Sequence, residues 1–327
     1  MRESLTRREF LEGSGGLLAG VGVASLLARN SAAGDDKPAA LRLGCRDVHL
    51  KQTGEKDCWS AMRAIGAEGV EATIADDLAF RDLFHPDRKY TAATLDALAA
   101  LMTDMQAAGR RISAFCIHSY FDRRAEFEID KGAKAARAAK ALGVKAIRID
   151  VASRKIPAAE FLEPAAASLK KLIEASEGTG VVFGIENHGA LTNDPKFLVP
   201  LLDRVGSKRL GVTLDTGNLY WFGHPLSKVY EIYEILAPHA CHTHCKSIKY
   251  PPEERETQRS MGSKYKECAC PIYEGDIDFR RVLKILRGAG YNGDLCIENE
   301  SLGKFPAEER GKVLAREIAY LKEIQSA

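Results

Sequence analysis

From residue 41 onward, eight short apolar segments alternate with segments of helical periodicity, and this alternation constrains the fold more than any other feature. Each predicted strand is bounded by Gly or polar residues, which is typical of strands buried on both faces of a parallel sheet. The predicted strands are Leu41–Cys45, Gly69–Ile74, Ile112–Ile117, Lys145–Asp150, Val181–Glu186, Leu210–Asp215, Ala240–Cys245 and Asp294–Asn299. The predicted helices are Asp57–Ile65, Thr91–Ala108, Lys131–Leu142, Ala159–Glu177, Pro195–Val205, Leu226–Leu236, Phe279–Arg287 and Ala307–Ile324.

Eight strands, each followed by a helix, make up a closed (β/α)8 TIM barrel. The rival is an open doubly wound sheet, which usually has fewer strands or a Gly-rich phosphate-binding turn. No G-x-G-x-x-G motif follows the first predicted strand. The chain also has no interior linker or charge block, so we predict one barrel domain over residues 41–327.

Residues 1–33 have the form of a twin-arginine signal peptide rather than of a folded segment. The twin arginines lie in Thr6–Leu11, and the apolar run Leu17–Leu27 that follows is too short to span a membrane. Small residues at Ser31–Ala33 suit a cleavage site. We therefore expect an exported, periplasmic protein with no membrane span in its mature form.

Charge and cysteine usage narrow the partners and the redox chemistry. The formal net charge is +2 over 327 residues, which gives no electrostatic case for a nucleic-acid partner. The cysteines in apolar strand-like runs are expected to be small buried residues rather than disulfide partners; these are Cys45, Cys116, Cys241, Cys245 and Cys296. Cys268 and Cys270 lie in a polar segment and are the better candidates for oxidation.

That polar segment, Ser247–Asp278, follows the seventh predicted strand and is unusually long for a barrel loop. On a TIM barrel it would lie at the face where the loops after the strands form the active site. A lid, a strap between the copies of a homo-oligomer, and a floppy insertion are all open.

Four polar residues lie at or near the carboxyl ends of predicted strands five to eight: Glu186, Asp215, His244 and Glu298. A carboxylate at the end of an apolar strand is costly unless it is paired or bound to a cation. One such residue alone is better explained as a helix cap or an ion-pair partner. Four in register would converge at the barrel mouth, where three oxygen ligands and one imidazole suit one divalent ion, such as Mn²⁺, Mg²⁺, Co²⁺ or Zn²⁺.

The four residues belong to the motifs Gly184–Gly189 (GIENHG), Leu214–Asn218 (LDTGN), His242–Lys246 (HTHCK) and Gly290–Gly293 (GYNG), the last leading to Glu298. In these motifs the chain resembles the xylose isomerase-like barrel superfamily, in the group often named sugar phosphate isomerases/epimerases. The resemblance implies that the four residues bind the metal. It also implies that Glu186 and Glu298 are catalytic residues that remove and return a proton next to a substrate carbonyl, through an enediolate that the metal stabilises.

Other side chains near the predicted mouth are candidate substrate contacts: His118, His188, Asn218, His242, Lys246 and Trp221. Each polar one is equally well explained as a hydrogen-bonded structural residue, and Trp221 as core packing. Arg148 and Asp150 end the fourth strand, and Glu71 points either into the barrel or toward a helix. Epimerases of the superfamily often carry His three residues after the metal-binding Asp, where this chain has Asn218.

Four functions are compatible with these residues. The first is a metal-dependent sugar isomerase or epimerase, and the second is a lyase or dehydratase that acts on a keto-inositol or keto-glycoside through the same site. An apurinic endonuclease would need three zinc ions and further histidines, yet Ser247–Asp278 contains none. A non-catalytic sugar-binding barrel is the fourth. No Gly-rich loop feeds a helix N-terminus in the last two βα units, which favours an unphosphorylated sugar or polyol.

Overall fold

The computed structural model describes residues 40–326, and the signal peptide predicted for residues 1–33 lies outside them. Within residues 40–326, eight parallel strands close into a barrel in the order β1-β8-β7-β6-β5-β4-β3-β2. This confirms the predicted (β/α)8 fold. The strands are β1 (Leu43–Arg46), β2 (Gly69–Ile74), β3 (Arg111–Ile117), β4 (Ala146–Ile149), β5 (Val182–Glu186), β6 (Leu210–Asp215), β7 (Ala240–Cys245) and β8 (Leu295–Ile297).

Eight main helices of the described residues surround the barrel, one after each strand. They are α1 (Cys58–Ile65), α2 (Leu98–Ala108), α3 (Phe121–Ala141), α4 (Leu162–Ala175), α5 (Pro195–Val205), α6 (Leu226–Leu236), α7 (Phe279–Gly288) and α8 (Ala307–Ser326). The shorter helices Asp47–Leu50, Gly189–Thr192, Asn218–Trp221 and Tyr265–Cys268 lie in the connections. Among the described residues, no helix is both long and apolar enough to cross a membrane.

The barrel closes where β1 pairs with β8, in the register Leu43 to Leu295. Glycine is needed where neighbouring strands approach most closely. A Cβ atom on Gly184 of β5 would lie only 2.5 Å from Thr213 Oγ1 and 2.7 Å from Cys241 Sγ. Position 184 of β5 therefore has no room for a side chain, because residues of β6 and β7 already fill the space. Strands β5, β6 and β7 carry the first three predicted metal ligands.

Two helices begin seven or more residues from the position that the periodicity predicts. Helix α2 was expected from Thr91, but Thr91 forms a bridge with Ala79, and the helix begins seven residues later at Leu98. The apolar periodicity around it is also incomplete, because Leu95 is 65% exposed. Helix α3 was expected from Lys131 but begins at Phe121, with non-helical backbone angles at Arg124. Its first turns contain many charged residues, so apolar periodicity does not predict them as helix.

The long segment after β7 is ordered, so the floppy-insertion hypothesis is wrong. Residues Ser247–Ile248 pair antiparallel with Ala269–Cys270. The guanidinium of Arg259 lies 4.6 Å from the ring centre of Tyr220 and 4.1 Å from that of Tyr250. It also donates a 2.9 Å hydrogen bond to the carbonyl of His224. Arg259 therefore fastens this segment to the connection between β6 and α6.

All eight cysteines lie within residues 40–326 and are free there. Of the five predicted to be buried, four are buried and Cys241 is half-buried. The proposed oxidation candidates, Cys268 and Cys270, are half-buried as well. Burial raises the pKa of both thiols, that of Cys270 to about 12. Because the thiolate is the reactive form, this burial argues against ready oxidation of either residue.

Candidate metal centre and active site

The barrel brings the four predicted metal ligands together. Glu186 and Asp215 are the last residues of β5 and β6, His244 is the penultimate residue of β7, and Glu298 directly follows β8. Their ligand atoms all lie within 4.8 Å of one another, and all four residues are buried. The carboxyl ends of parallel strands share one edge, so residues that end successive strands meet at the barrel mouth.

Both glutamates have one carboxylate oxygen held by an arginine. Oε2 of Glu186 accepts a 2.6 Å hydrogen bond from Nε of Arg148, which extends from β4. Oε1 of Glu298 accepts a hydrogen bond from Nη1 of Arg46, at the end of β1. Each glutamate is therefore oriented by a buried guanidinium, and its second oxygen is left to face the other ligands.

These second oxygens converge on the imidazole of His244. Its Nδ1 atom lies 3.2 Å from Oε1 of Glu186 and 3.5 Å from Oε2 of Glu298. Oδ2 of Asp215 lies 3.8 Å from the same nitrogen. The four atoms that meet are three carboxylate oxygens and one imidazole nitrogen, a donor set that suits one hard or borderline divalent ion.

The carboxylate of Asp215 is a further test of whether a cation fits. Its Oδ1 accepts a 2.7 Å hydrogen bond from the backbone N–H of Asn218. Its Oδ2 is buried and accepts no well-aligned hydrogen bond within residues 40–326, and its charged neighbour is the ammonium of Lys246 at 3.2 Å. Burial, together with the charges of Glu298 and Glu186, raises the pKa of Asp215 to about 8. A bound cation would coordinate this oxygen and offset the cost of burying its charge, so these residues fit the metal.

Lys246 contributes a positive charge to the same cluster. Its Nζ atom lies 3.0 Å from Oε2 of Glu298 and 3.2 Å from Oδ2 of Asp215. It also lies 3.6 Å from Oε1 of Glu300. Lys246 is buried, and its ammonium balances carboxylates rather than facing open solvent. The substrate contact expected of Lys246 stays a prediction, and the structure places its ammonium against two of the metal ligands.

Glu71 points into the barrel, which decides the alternative that the sequence left open. Its Oε2 atom lies 2.6 Å from Nε2 of His244 and 2.6 Å from Nε2 of His242. An ionised carboxylate only accepts hydrogen bonds, so both Nε2 atoms carry the proton. With Nε2 held by Glu71, Nδ1 is the atom that would lose its proton and supply the lone pair to a bound metal. Nε2 of His242 is held by Glu71, and the substrate contact expected of this residue stays a prediction.

Asn218 and Trp221 are also not placed as substrate contacts. Asn218 is buried, and its side-chain Nδ2 donates a 3.1 Å hydrogen bond to Oε1 of Glu186. With its backbone N–H on Asp215, it holds two of the four ligands. Trp221 is half-buried beneath the segment that follows β7, and its carbonyl accepts a 2.8 Å hydrogen bond from the N–H of Gly262. Asn218 therefore holds two metal ligands in position, and Trp221 helps to hold the segment that follows β7.

The two remaining candidates, His118 and His188, lie half-exposed at the mouth around one buried carboxylate. Nδ1 of His118 lies 3.2 Å from Oδ2 of Asp150, and Nδ1 of His188 lies 3.4 Å from Oδ1 of the same residue. The histidine side chains are 53% and 52% exposed. Arg148 donates a 2.8 Å hydrogen bond from Nη1 to Asp150 Oδ2, so its guanidinium joins Asp150 to Glu186.

Two residues of the site escaped the sequence analysis. Arg46 ends β1 as a charged residue after an apolar run, the same signal that pointed to the acidic ligands. His49 lies in the short helix Asp47–Leu50, is buried, and has an Nε2 atom without a hydrogen-bond partner in the described part of the chain. Burial lowers the pKa of His49 to about 4, so its imidazole is neutral. Nothing in its local sequence marks it as part of the site.

Comparison with known proteins agrees with this architecture. Residues 59–324 match the family described as xylose isomerase-like TIM barrel. The chain belongs to this family. It is also 28% identical, over 147 residues, to an uncharacterized protein of Methanocaldococcus jannaschii. That alignment covers 44% of this chain and 45% of the relative, so the chain spans less than half of the length of the relative that it matches.

Two solved structures of similar fold contain a metal ion. The crystal structure of the IolI protein with a bound zinc atom superimposes with a TM-score of 0.65 at 17% identity, over 86% of this chain and 98% of that chain. A xylose isomerase-like TIM barrel protein from Mycobacterium smegmatis, in complex with magnesium, gives a TM-score of 0.62 at 16% identity. That match covers 88% of this chain and 97% of the other. Identities this low show a shared fold alone.

Proposed function

We propose that this chain is a divalent-metal-dependent enzyme that removes the proton next to the carbonyl of an unphosphorylated sugar or of the keto form of a cyclic polyol. The convergence of four buried ligand atoms, three carboxylate oxygens and one imidazole nitrogen, carries this proposal. The zinc and magnesium in structures of the same fold support a divalent ion in general. When bound, the ion would act as a Lewis acid that polarises the carbonyl and stabilises the enediolate.

Glu186 and Glu298 are the bases of the proposed reaction. Burial favours the neutral form of Glu186, but Arg148 and His244 outweigh it and lower its pKa to about 2. Glu298 is likewise buried, and the nearby Lys246, His244 and Arg46 hold its pKa well below the ordinary value. Both carboxylates are therefore ionised at neutral pH and ready to accept a proton. A positioned base of this kind contributes roughly 10²–10⁴-fold to the rate.

Isomerisation or epimerisation is the simplest outcome, because the proton that one glutamate removes is returned to carbon and no group beyond the metal ligands is needed. A lyase or dehydratase shares the first step and then expels an oxygen from the next carbon. The half-exposed histidines around Asp150 favour this second candidate, since elimination needs a proton donor for the departing oxygen. A non-catalytic sugar-binding barrel would not need ionised bases beside the carbonyl site.

The geometry opposes the three-zinc nuclease. Beyond the four-ligand group, residues 40–326 contain two groups with metal-like spacing: Glu71 with His242 and His244, and Asp150 with Glu186 and His188. In the first, one carboxylate oxygen already accepts from both imidazoles. In the second, the guanidinium of Arg148 already lies on both carboxylates. A second cation would meet a fixed positive charge there, so we expect one ion per chain.

Metal analysis and proton exchange test the proposal. We expect about one divalent ion per chain, reduced by Glu186→Gln and by Asp215→Asn, and unchanged by Glu163→Gln on the exposed surface of α4. In deuterated solvent, the metal-loaded protein should incorporate deuterium next to the carbonyl of a member of a panel of ketoses, keto-inositols and 3-keto-glycosides. Three zinc ions per chain, or no incorporation into any compound, would overturn it.

We also propose that residues 1–33 are a twin-arginine signal and that the mature barrel acts in the periplasm. The twin arginines and the apolar run after them support this proposal. Replacing Arg7 and Arg8 with lysines should keep the protein in the cytoplasmic fraction of a cell that has the twin-arginine pathway. Normal export of that variant would contradict the proposal. Membership of a homo-oligomer stays a prediction.

A further inference from the structure

We propose that His118 is the general acid that protonates an oxygen leaving from the carbon β to the substrate carbonyl. The substrate class would then be a keto-sugar with an oxygen substituent at that carbon, such as a 3-keto-glycoside. The inference rests on the proposed metal site and α-proton removal, and it selects elimination from the two reactions that share them. Its basis is the arrangement of His118, Asp150 and Arg148 at the barrel mouth.

The hydrogen bond to Asp150 determines which nitrogen of His118 is available. Nδ1 of His118 lies 3.2 Å from Oδ2 of Asp150, which can only accept, and 3.4 Å from Nη1 of Arg148, which can only donate. We assign the proton of Nδ1 to the shorter contact, with Asp150. The polar contacts of the ring within the described residues involve Nδ1 alone. Its Nε2 atom is therefore left for substrate, on a side chain that is 53% exposed. A buried carboxylate that orients a half-exposed imidazole is the arrangement used for acid–base catalysis.

The position of this pair relative to the metal ligands follows from Arg148. Its guanidinium donates through Nε to Glu186 and through Nη1 to Asp150, so the two carboxylates lie on either side of one buried group. Ligand atoms of Asp150, Glu186 and His188 lie within 4.8 Å of one another. His118 therefore lies on the same side of the metal ligands as Glu186, with Asp150 between it and them. A substrate whose carbonyl is at the metal would extend its neighbouring carbons toward it.

The surroundings of His118 hold it in place. Its carbonyl accepts a 3.0 Å hydrogen bond from Nζ of Lys131 on α3, which is itself paired with Glu128 at 2.8 Å. Asp150 and Arg148 form the ion pair beneath the ring. His188 occupies the other oxygen of Asp150, so the negative charge of one aspartate is shared by two imidazoles and one guanidinium. An imidazolium at His118 has a counter-ion in direct contact.

The proposed step balances without an oxidant or reductant. A carboxylate of the metal site takes the proton from the α carbon, and the electron pair of that C–H bond forms the double bond between the α and β carbons. The bond between the β carbon and its oxygen breaks. The oxygen keeps both electrons of that bond and takes the Nε2 proton of the His118 imidazolium. The products are an α,β-unsaturated ketone and an alcohol or water, and solvent then reprotonates His118.

Two glycosides that differ only in their leaving group test this step. The probes are methyl and p-nitrophenyl 3-keto-β-glucopyranoside, and removal of the proton at carbon 2 is measured as deuterium incorporation plus elimination. We expect metal-loaded His118→Asn to remove that proton within about threefold of the wild-type rate. Methanol release should fall roughly 10²–10⁴-fold, the usual contribution of a general acid. Release of p-nitrophenolate, which departs without a proton, should fall less than about tenfold.

The matched control is His239→Asn, which replaces a histidine just before the start of β7, at the opposite end of the barrel. This variant should behave as wild type in every assay. Metal content of both variants should stay at about one ion per chain, which separates loss of the acid from damage to the metal site. His118 is half-exposed, so its replacement leaves no buried cavity.

Several outcomes would overturn the assignment. Proton removal and methanol release that fall together, or p-nitrophenolate release that falls as far as methanol release, would exclude His118 as the acid. Proton exchange by the wild type without release of either aglycone would mean an epimerase. If His118→Asn does not fold, the two release rates of the wild type test the assignment. Release of p-nitrophenolate more than about 10³-fold faster than release of methanol would show that no acid assists the departing oxygen. If the wild type removes no proton from any compound, the proposed function fails and this inference fails with it.

Discussion

Glu71 shows how one buried side chain can set the chemistry of a site that it does not enter. Its Oε2 accepts from Nε2 of both His242 and His244, so it decides which nitrogen of His244 faces the other ligands. Its Oε1 lies 3.2 Å from Nε of Arg46, the arginine that also holds Glu298. Through these two contacts Glu71 orients a ligand on β7 and the guanidinium that orients a ligand after β8.

Glu71→Gln should weaken metal binding by about 10–100-fold, the usual effect of losing a hydrogen-bond partner behind a metal-binding histidine. A glutamine has one acceptor oxygen. If this oxygen faces the two imidazoles, the N–H₂ group meets Nε of Arg46, which also donates; if the amide is turned, both imidazoles lose their acceptor. In either case the ring of His244 is held less firmly in one tautomer. Competition against a chromophoric chelator measures the change. The surface variant Glu163→Gln is the control, and an unchanged metal affinity in Glu71→Gln would show that Glu71 does not position His244.

At the scale of the element, the segment Ser247–Asp278 behaves as a fixed part of the mouth. Its own side chains Tyr250, Ile272 and Ile277 are buried, and a short antiparallel strand pair joins its two ends. Tyr265 in this segment donates its hydroxyl hydrogen to Glu300, which in turn lies beside Lys246. The segment is thus connected to the metal ligands through two side chains, which favours a role as cover of the site.

Arg259→Ala should loosen this cover. The substitution removes two cation–π contacts and the hydrogen bond to the carbonyl of His224, and each cation–π contact is worth roughly 0.5–2 kcal/mol. We expect faster cleavage by a protease within Ser247–Asp278 and a lower Tm. Lys266→Ala, which replaces an exposed residue of the same segment, is the matched control. Equal cleavage rates for the two variants would contradict the fastening role of Arg259.

Stability of the whole molecule should depend on a buried carboxyl on α8. Glu317 is buried, accepts hydrogen bonds from the N–H of Ile272 and from Nδ2 of Asn299, and burial raises its pKa from the ordinary 4.5 to about 7. Below about pH 4.5, Glu317 is neutral in both the folded and the unfolded chain. As the pH rises from there to 7, only the unfolded chain ionises, so the contribution of Glu317 to stability is progressively lost.

The free energy of unfolding of Glu317→Gln, measured with urea, should therefore rise relative to that of the wild type between pH 4.5 and pH 7.5. At about 1.4 kcal/mol for each unit of pKa shift, the difference should grow by roughly 3 kcal/mol. Comparison with Gln at the same site cancels the other buried carboxyls, which are unchanged. A difference that stays constant with pH would mean that Glu317 ionises in the folded protein at its ordinary pKa.

Metal removal is a second whole-molecule test. An ion that binds only the folded chain stabilises it by about 2.7 kcal/mol at a free concentration one hundred times its Kd. Chelation should therefore lower the Tm of the wild type. Asp215→Asn replaces one of the proposed carboxylate ligands with a neutral amide. This variant should show a smaller difference in Tm between metal-loaded and chelated samples. Equal shifts for the two proteins would mean that the stabilising ion binds elsewhere.

Local pattern predicted the strands closely, because buried parallel strands are short apolar runs whose ends are marked by polar residues. Strands β2, β6 and β7 begin and end where the periodicity places them. Helices with a charged first turn, such as α3, were predicted too short. Local pattern also placed the start of α2 too early. Thr91 pairs with Ala79 in an antiparallel bridge, and helical periodicity cannot predict such a pairing.

The sequence by itself determined that Glu186, Asp215, His244 and Glu298 share one edge, because the carboxyl ends of parallel strands always meet there. Which polar side chains face that shared centre was decided only by the tertiary structure. The sequence left the direction of Glu71 open and predicted Asn218 and His242 as substrate contacts. In the structure, Glu71 and Asn218 each hydrogen-bond to a metal ligand, and His242 hydrogen-bonds to Glu71. The direction of a side chain inside a barrel depends on register and on the neighbouring strands, which lie tens of residues away in the chain.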